Sequence, residues 1–368
     1  MSNQILPFAP TDTGTNLLSQ SDYNAASDRT NGNQPGVASA KLVNKALRQA
    51  TYVVSQVAQY FTNKNGTDVL DDGIPARLLA QINASMLSVP PVITRYLSGS
   101  GNHNLTYQFF IATGSATVGA TYTNNSVTFT VSATVASGVQ VLMTGNGAPT
   151  TSGALTKTGG SGDSSLTFYA MRAPISLKVK SVGAGGGGGG SSTTSAANAG
   201  AGGAGGNTTF GTSLITCPGG PGAAATGGGS SATTAPTINS PAIALVSVAG
   251  ALGSSGTQIP NADFGVAAPG GSSVFAGYGQ SGQSGAGGTA QANTGSGGGG
   301  GGTTSSTGDR QLGGAGAAGS YSEALVSSPS GAYAYAVGAG GTAGAAGTSG
   351  SNGGVGAAGI IIVEEIFQ

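Results

Sequence analysis

Apolar positions near the start of the chain recur at helical spacing. From Ser39 to Asn63, the residues Val43, Leu47, Ala50, Val54, Val57 and Phe61 step alternately by four and three. That spacing is a heptad seam, and Leu42, Ala46, Val53 and Tyr60 widen it. The pattern predicts a long helix that stops at Asn63-Lys64-Asn65-Gly66. A shorter helix is expected around Ser21–Ser27. Another is expected after Asp71-Asp72-Gly73, with Pro75 near its start and Leu78, Leu79, Ile82 and Met86 facing inward. A stretch of about 90 residues with this pattern builds a thin core of its own, so the seam is expected to pair with copies of itself.

After Asn104 the period changes. Thr, Val, Phe and Tyr alternate with polar residues, and turn residues return about every ten positions. Strands are predicted at Leu105–Ala112, Val127–Val131, Val139–Thr144, Ala154–Thr158 and Leu166–Ala170. The turns between them are marked by Asn124-Asn125, Gly145-Asn146-Gly147 and Gly159-Gly160-Ser161-Gly162.

The remaining half obeys a third rule. Residues 183–368 hold 54 of the 70 glycines, and eight of these fall at every third position from Gly338 to Gly359. Shorter runs of the same spacing are Gly200/Gly203/Gly206, Gly282/Gly285/Gly288 and Gly313/Gly316/Gly319. A period of three belongs to extended helices of the polyproline-II type, and glycine on the inward side lets backbones approach closely. Collagen is excluded, because residues 330–368 contain no proline. Strand-like segments interrupt the glycine runs at Ile175–Val182, Thr208–Thr216, Ile243–Val248 and Gly359–Phe367. The strict period, low charge and apolar ending favour a folded domain over a disordered tail.

Composition narrows the chemistry. Twelve basic and twelve acidic residues cancel, which leaves no field to draw in nucleic acid or an anionic membrane surface. The single cysteine, Cys217, excludes an intramolecular disulfide framework, and the single histidine, His103, excludes a His-pair metal motif. No cofactor, metal or catalytic residue is expected. No phosphate-binding GxxxxGK[ST] loop is present, and the longest aliphatic run, Ile360–Val363, is too short to span a bilayer. The opening Met1–Pro7 lacks the features of a signal peptide. His103 falls in a Gly/Asn-rich stretch that reads as an exposed turn or an interface rather than the site of a general base. Between residues 184 and 358 the acids are Asp263, Asp309 and Glu323, too sparse to predict a paired-carboxylate hydrolase. Glu364 and Glu365 are adjacent on the last predicted strand and point to opposite faces.

Two stretches resemble known proteins. Gly119-Ala-Thr-Tyr-Thr-Asn-Asn-Ser-Val-Thr-Phe-Thr-Val131, continuing through Gly145–Pro149 to Leu155–Asp163, resembles a small β-module of bacteriophage tail and baseplate proteins. The segment Val69-Leu-Asp-Asp-Gly73, after Leu47-Arg-Gln49, is similar to the opening of many tail fibre proteins. In the glycine-rich half, Ile175–Val182 leading into Gly183-Ala-Gly185, the block Thr208–Gly211 and the ending Gly359–Glu365 resemble the receptor-binding tips of phage tail fibres.

The resemblance implies a non-catalytic tail fibre adhesin of the virion, assembled in the host cytoplasm as a homotrimer. Its partners would be a baseplate or tail protein at one end and a bacterial surface polysaccharide or outer-membrane protein at the other. The expected fold is multidomain and fibrous. It comprises an N-terminal α-helical oligomerisation region (1–95, with Val43, Leu47, Ala50, Val54, Val57 and Phe61 at the contact), a small all-β shaft module (96–172) and a C-terminal glycine-rich polyglycine-II-like/β tip (173–368). Receptor contact is expected from the rare aromatic and charged residues between glycine runs: Phe264, Phe275, Tyr278, Asp309, Arg310, Tyr321, Tyr333 and Tyr335. A polysaccharide-degrading tailspike and a glycine-rich structural protein of cell-wall or silk type are the alternatives.

Overall fold

The computed structural model describes residues 5–10, 15–31, 39–65, 68–71, 75, 78–79, 81–82, 92–124, 126–132, 140–147, 153–193, 199–224, 227–259, 266–303 and 310–367. Three helices come first: α1 (Gln20–Ala25), α2 (Ser27–Asn31) and α3 (Ala40–Asn65). Strands follow as β1 (Val92–Leu97), β2 (Ser100–Thr113), β3 (Thr121–Asn124), β4 (Val127–Val131), β5 (Gln140–Gly145), β6 (Gly153–Gly159), β7 (Ser165–Arg172) and β8 (Ser176–Val182). The glycine-rich half adds β9 (Thr208–Phe210), β10 (Ile215–Cys217), β11 (Thr237–Ile238), β12 (Ala242–Val248) and β13 (Gln258–Ile259). It closes with β14 (Arg310–Gln311), β15 (Tyr321–Ser327), β16 (Ala332–Ala336) and β17 (Ile360–Ile366). The chain divides into two compact units, Met1–Val89 with Thr106–Ala173, and Pro90–Leu105 with Pro174–Gln368.

The expected fold class is overturned. The chain is mostly antiparallel sheet with three helices among the described residues, and its N-terminal region is not a helical oligomerisation domain. The seam on α3 does not act as one surface. Phe61 is buried with Ala58 and Val69, and Ile5, Leu78 and Ile82 pack against this cluster. Leu47, Val54 and Val57 are exposed, as is Ala50, while Val43 is half-buried. The buried side of α3 instead collects Leu42, Ser55, Ala58, Phe61 and Thr62. Of the six seam residues, only Phe61 is buried in the unit's own core. Of the helix expected at 71–86, residues 75, 78–79 and 81–82 are helical, and residues 72–74, 76–77, 80 and 83–86 lie outside the described residues.

In the first unit the strands follow the order β2-β5-β4-β3-β6-β7, and β7 pairs back with β2, so the antiparallel ring closes. Closure removes every sheet edge and leaves alternate side chains pointing inward. Those side chains include Tyr107, Phe109, Tyr122, Phe129, Met143, Leu155, Leu166 and Phe168, all fully buried. Phe109 makes edge-to-face contacts with Phe129 at 5.2 Å and with Phe168 at 5.0 Å, which is the favoured geometry for ring quadrupoles.

The second unit is built differently. Its main sheet has the order β1-β17-β8-β15-β12, and every ladder is antiparallel. A smaller sheet joins β11, β10, β9, β16 and the first residues of β2. Between the strands lie extended glycine-rich segments that bond to one another through their backbones.

The segment 183–192 is buried throughout, and its successive amides turn to three different neighbours. Gly185, Gly188 and Ser191 donate to the carbonyls of Ala357, Gly354 and Ser351 at 2.8–3.0 Å. Gly186, Gly189 and Ser192 donate to Ala317, Gly314 and Gln311, while Gly187 and Gly190 donate to Gly203 and Gly200. Its carbonyls accept in the same rotation. Gly185, Gly188 and Ser191 accept from Gly341, Gly344 and Gly347, Gly186 and Gly189 from Gly298 and Gly301, and Ala184 and Gly187 from Gly220 and Ala223. A helix of three residues per turn directs its backbone groups outward in three directions, so surrounding segments can satisfy them all. A Cβ on Gly187 would collide with the Thr342 carbonyl, and one on Gly188 with the Gly299 carbonyl.

Candidate binding surface

Among the described residues, the second unit gathers exposed apolar side chains around one turn. Ser273 organises it: the Ser273 Oγ accepts from the amides of Phe275 and Ala276, each at 3.2 Å. From the glycine segment behind, the buried Ser296 donates to Ser273 Oγ at 3.0 Å and reaches the Ala276 carbonyl at 3.2 Å. The turn is thus held from below by hydroxyls, which frees its apolar side chains to face outward. Val274 is 54% exposed, Phe275 39% and Tyr278 49%, and Leu252 (62%) and Val266 (42%) are also exposed.

Beside the turn, Val248–Ala251, Ser272–Val274, Gly319 and Tyr321 enclose a depression of 210 Å³. Tyr321 forms its inner wall and meets Phe275 edge to face at 5.5 Å. The Tyr321 hydroxyl donates to Glu323 at 2.6 Å, and Glu323 pairs with Lys178 at 2.8 Å. Burial, and then the bond to Glu323, push the Tyr321 hydroxyl pKa well above its ordinary value. The Lys178 ammonium, followed by the Tyr321 hydroxyl, holds the Glu323 carboxyl below the usual range. Glu323 is therefore a charged anchor for Tyr321, with the wrong polarity for a carboxylic acid that must donate a proton near neutrality.

The structure separates the candidates proposed from sequence. Phe275 and Tyr321 touch, and Tyr278 follows on the same exposed turn. Tyr333 and Tyr335 lie on β16, in the smaller sheet. Tyr333 stacks on the buried Phe210 at 5.1 Å with 11° between the ring planes, which makes it a packing residue. Arg310 begins the two-residue strand β14. Phe264 and Asp309 lie outside the described residues, as does Asp263. Sequence reasoning omitted Leu252, Val266 and Val274. Leu252 and Val266 are lone aliphatics between small residues and Val274 sits beside Phe275, weak signals until the fold brings them to the surface.

His103 also departs from its expected exposed turn. It lies within β2 and is 2% exposed, with its Nε2 3.1 Å from the fully buried Glu365 carboxylate. Arg95 approaches the same oxygen at 3.5 Å, and the Phe210 ring lies 6.0 Å from the imidazole. This cluster ties β1, β2 and β17 together. Glu364 faces the other side of β17 and bonds Lys180 at 2.6 Å, in keeping with strand alternation. Among the described residues no group of three or more His, Cys, Asp or Glu could hold a metal ion. No described helix is long and apolar enough to cross a membrane.

Comparison with protein-family models finds no match, and comparisons with curated proteins and with solved structures find none either.

Proposed function

We propose that this chain is a bacteriophage tail fibre adhesin that holds a bacterial surface by non-catalytic contact. The observation that carries the reading is the turn at Ser273–Tyr278, where exposed apolar and aromatic side chains stand on a backbone-bonded glycine scaffold. Side chains with no part in the scaffold's hydrogen bonds are free to vary with the receptor, as binding loops on rigid supports do. Contiguous exposed apolar side chains mark interaction sites on soluble proteins. The resemblance of residues 119–163, 175–185 and 359–365 to tail fibre segments supports the same reading. Attachment to a baseplate or tail protein would fall to the N-terminal region. The receptor would be an outer-membrane protein or a surface polysaccharide.

Purified full-length protein, fluorescently labelled and sedimented with a panel of bacterial strains, tests this. Binding to a susceptible strain is expected to fall at least tenfold in Phe275→Ala and Tyr278→Ala, with the melting temperature unchanged. Binding unaffected by changes at residues 252, 274, 275 and 278 would contradict the reading. Release of reducing sugar from host polysaccharide would favour the tailspike alternative and return Asp263, Asp309 and Glu323 to consideration.

A further inference from the structure

The main sheet of the second unit ends on β12, whose sequence is Ala-Ile-Ala-Leu-Val-Ser-Val. Among the described residues β12 has a neighbour, β15, on one side only. Its other side carries amides and carbonyls turned away from β15, a ready template for another strand. Proteins that keep such an edge single protect it with charge, proline or cover. Here residues 242–248 contain no charge or proline, and the nearest charged residue before Asp263 is Lys180. Ile243 (56%), Leu245 (51%), Val246 (37%) and Val248 (45%) are all exposed. Within β12 a register shift between Ala244 and Val246 interrupts the ladder, and Pro241 directly precedes the strand.

We infer that β12 is an assembly edge, and that its occupant is the β12 strand of a second copy of this chain. A neutral, apolar strip meets no electrostatic opposition from itself, whereas a charged partner strand would have to lose hydration against it without gaining a counter-charge. Strand direction selects the symmetry. Four antiparallel ladders separate β1 from β12, so these two edges run the same way. A head-to-tail ring would therefore require parallel pairing of β12 with β1. Two β12 strands related by a twofold axis pair antiparallel, like every other ladder in the sheet, and such an interface needs only one kind of edge. This assembly uses neither α3 nor the threefold symmetry implied by the resemblance to tail fibres.

Full-length protein at micromolar concentration tests the inference by light scattering and cross-linking. The wild type is expected to have the mass of two chains, and Leu245→Lys the mass of one with an unchanged melting transition. Leu245→Cys is expected to form an intermolecular disulfide under mild oxidation. Val118→Cys, equally accessible but in the first unit, is expected not to. A monomeric or three-chain wild type overturns the inference, as does an assembly that survives Leu245→Lys. If Leu245→Lys is misfolded, the cysteine pair decides: equal cross-linking at both positions, or none at 245, overturns it.

Discussion

The two units of this molecule solve the same problem with opposite materials. The closed ring of β2–β7 fills its interior with Tyr107, Phe109, Phe129, Met143 and Phe168, so its interior is made of side chains. At the centre of the second unit, residues 183–192 bring almost no side chain and pack backbone directly on backbone. An aromatic core gains from apolar burial, about 25 cal/mol per Å². A glycine lattice lacks that gain and must offset the high conformational entropy of glycine with backbone hydrogen bonds, each contributing about 0.5–1.5 kcal/mol net. The first tolerates changes of shape among apolar residues. The second tolerates almost no added atom, because the space beyond each inward α-carbon is already a carbonyl.

The sharpest way to break the comparison is to exchange the tolerances. Gly187→Val places a branched side chain against the Thr342 carbonyl and is expected to prevent the second unit from folding, with loss of its cooperative melting transition. The ordinary cost of overpacking, about 1–3 kcal/mol, is a lower bound where the obstacle is backbone. Thr348→Val, at an exposed position off the glycine period, is expected to leave melting within about 1 °C, the scale of small surface effects. In the ring, Phe109→Ala removes a buried aromatic and is expected to cost about 3–5 kcal/mol by denaturant titration, whereas Phe109→Leu is expected to cost much less.

Smaller effects sharpen the picture of the second unit's chemistry. Burial raises the Cys217 thiol pKa, so a thiol reagent at neutral pH is expected to label Cys217 only on unfolding. The weakest expected effect is the pH dependence of the Lys178–Glu323 pair. The Glu323 carboxyl pKa is lowered on folding, so its stabilisation is present above the ordinary carboxylate value and is lost as pH falls through the folded one. The Lys178 ammonium pKa is raised, chiefly by its bond to Glu323, so its contribution is present below the ordinary lysine value and lost as pH rises through the folded one. Both side chains are partly exposed, which limits the pair to about 0.2–1 kcal/mol. Glu323→Gln is expected to flatten the acid limb of the stability profile by no more than that.

Legibility in the sequence follows the same division. Local period reveals a strand whose neighbours lie close in the chain. Val127–Val131 coincides with β4, and Leu166–Ala170 falls inside β7. Strands β1, β15 and β16 carry no such signal: β15 and β16 lie between glycine runs where receptor contacts are expected, and β1 follows two prolines. The main sheet joins β1 to β17 across most of the chain, a pairing that no local pattern encodes. The heptad on α3 misled for a related reason. Apolar spacing shows which side of a helix can be buried, but the partner that covers Phe61 and leaves Val54 exposed is set by tertiary structure. Glycine spacing along 338–359 is plain in the chain, yet the segments that surround 183–192 come from six separate stretches. The proposed binding surface was least legible, since Phe275 and Tyr321 meet only after 45 intervening positions have folded.

Amide hydrogen exchange on the full-length protein tests the central claim most directly, that the glycine segments form a scaffold bonded through the backbone. The amides of Gly185–Ser191 and Gly297–Gly302 are expected to be as strongly protected as those of β8, while the amides of Gly277 and Tyr278, on the turn, exchange quickly. Exchange of Gly185–Ser191 at the rate of an unstructured peptide would contradict the account.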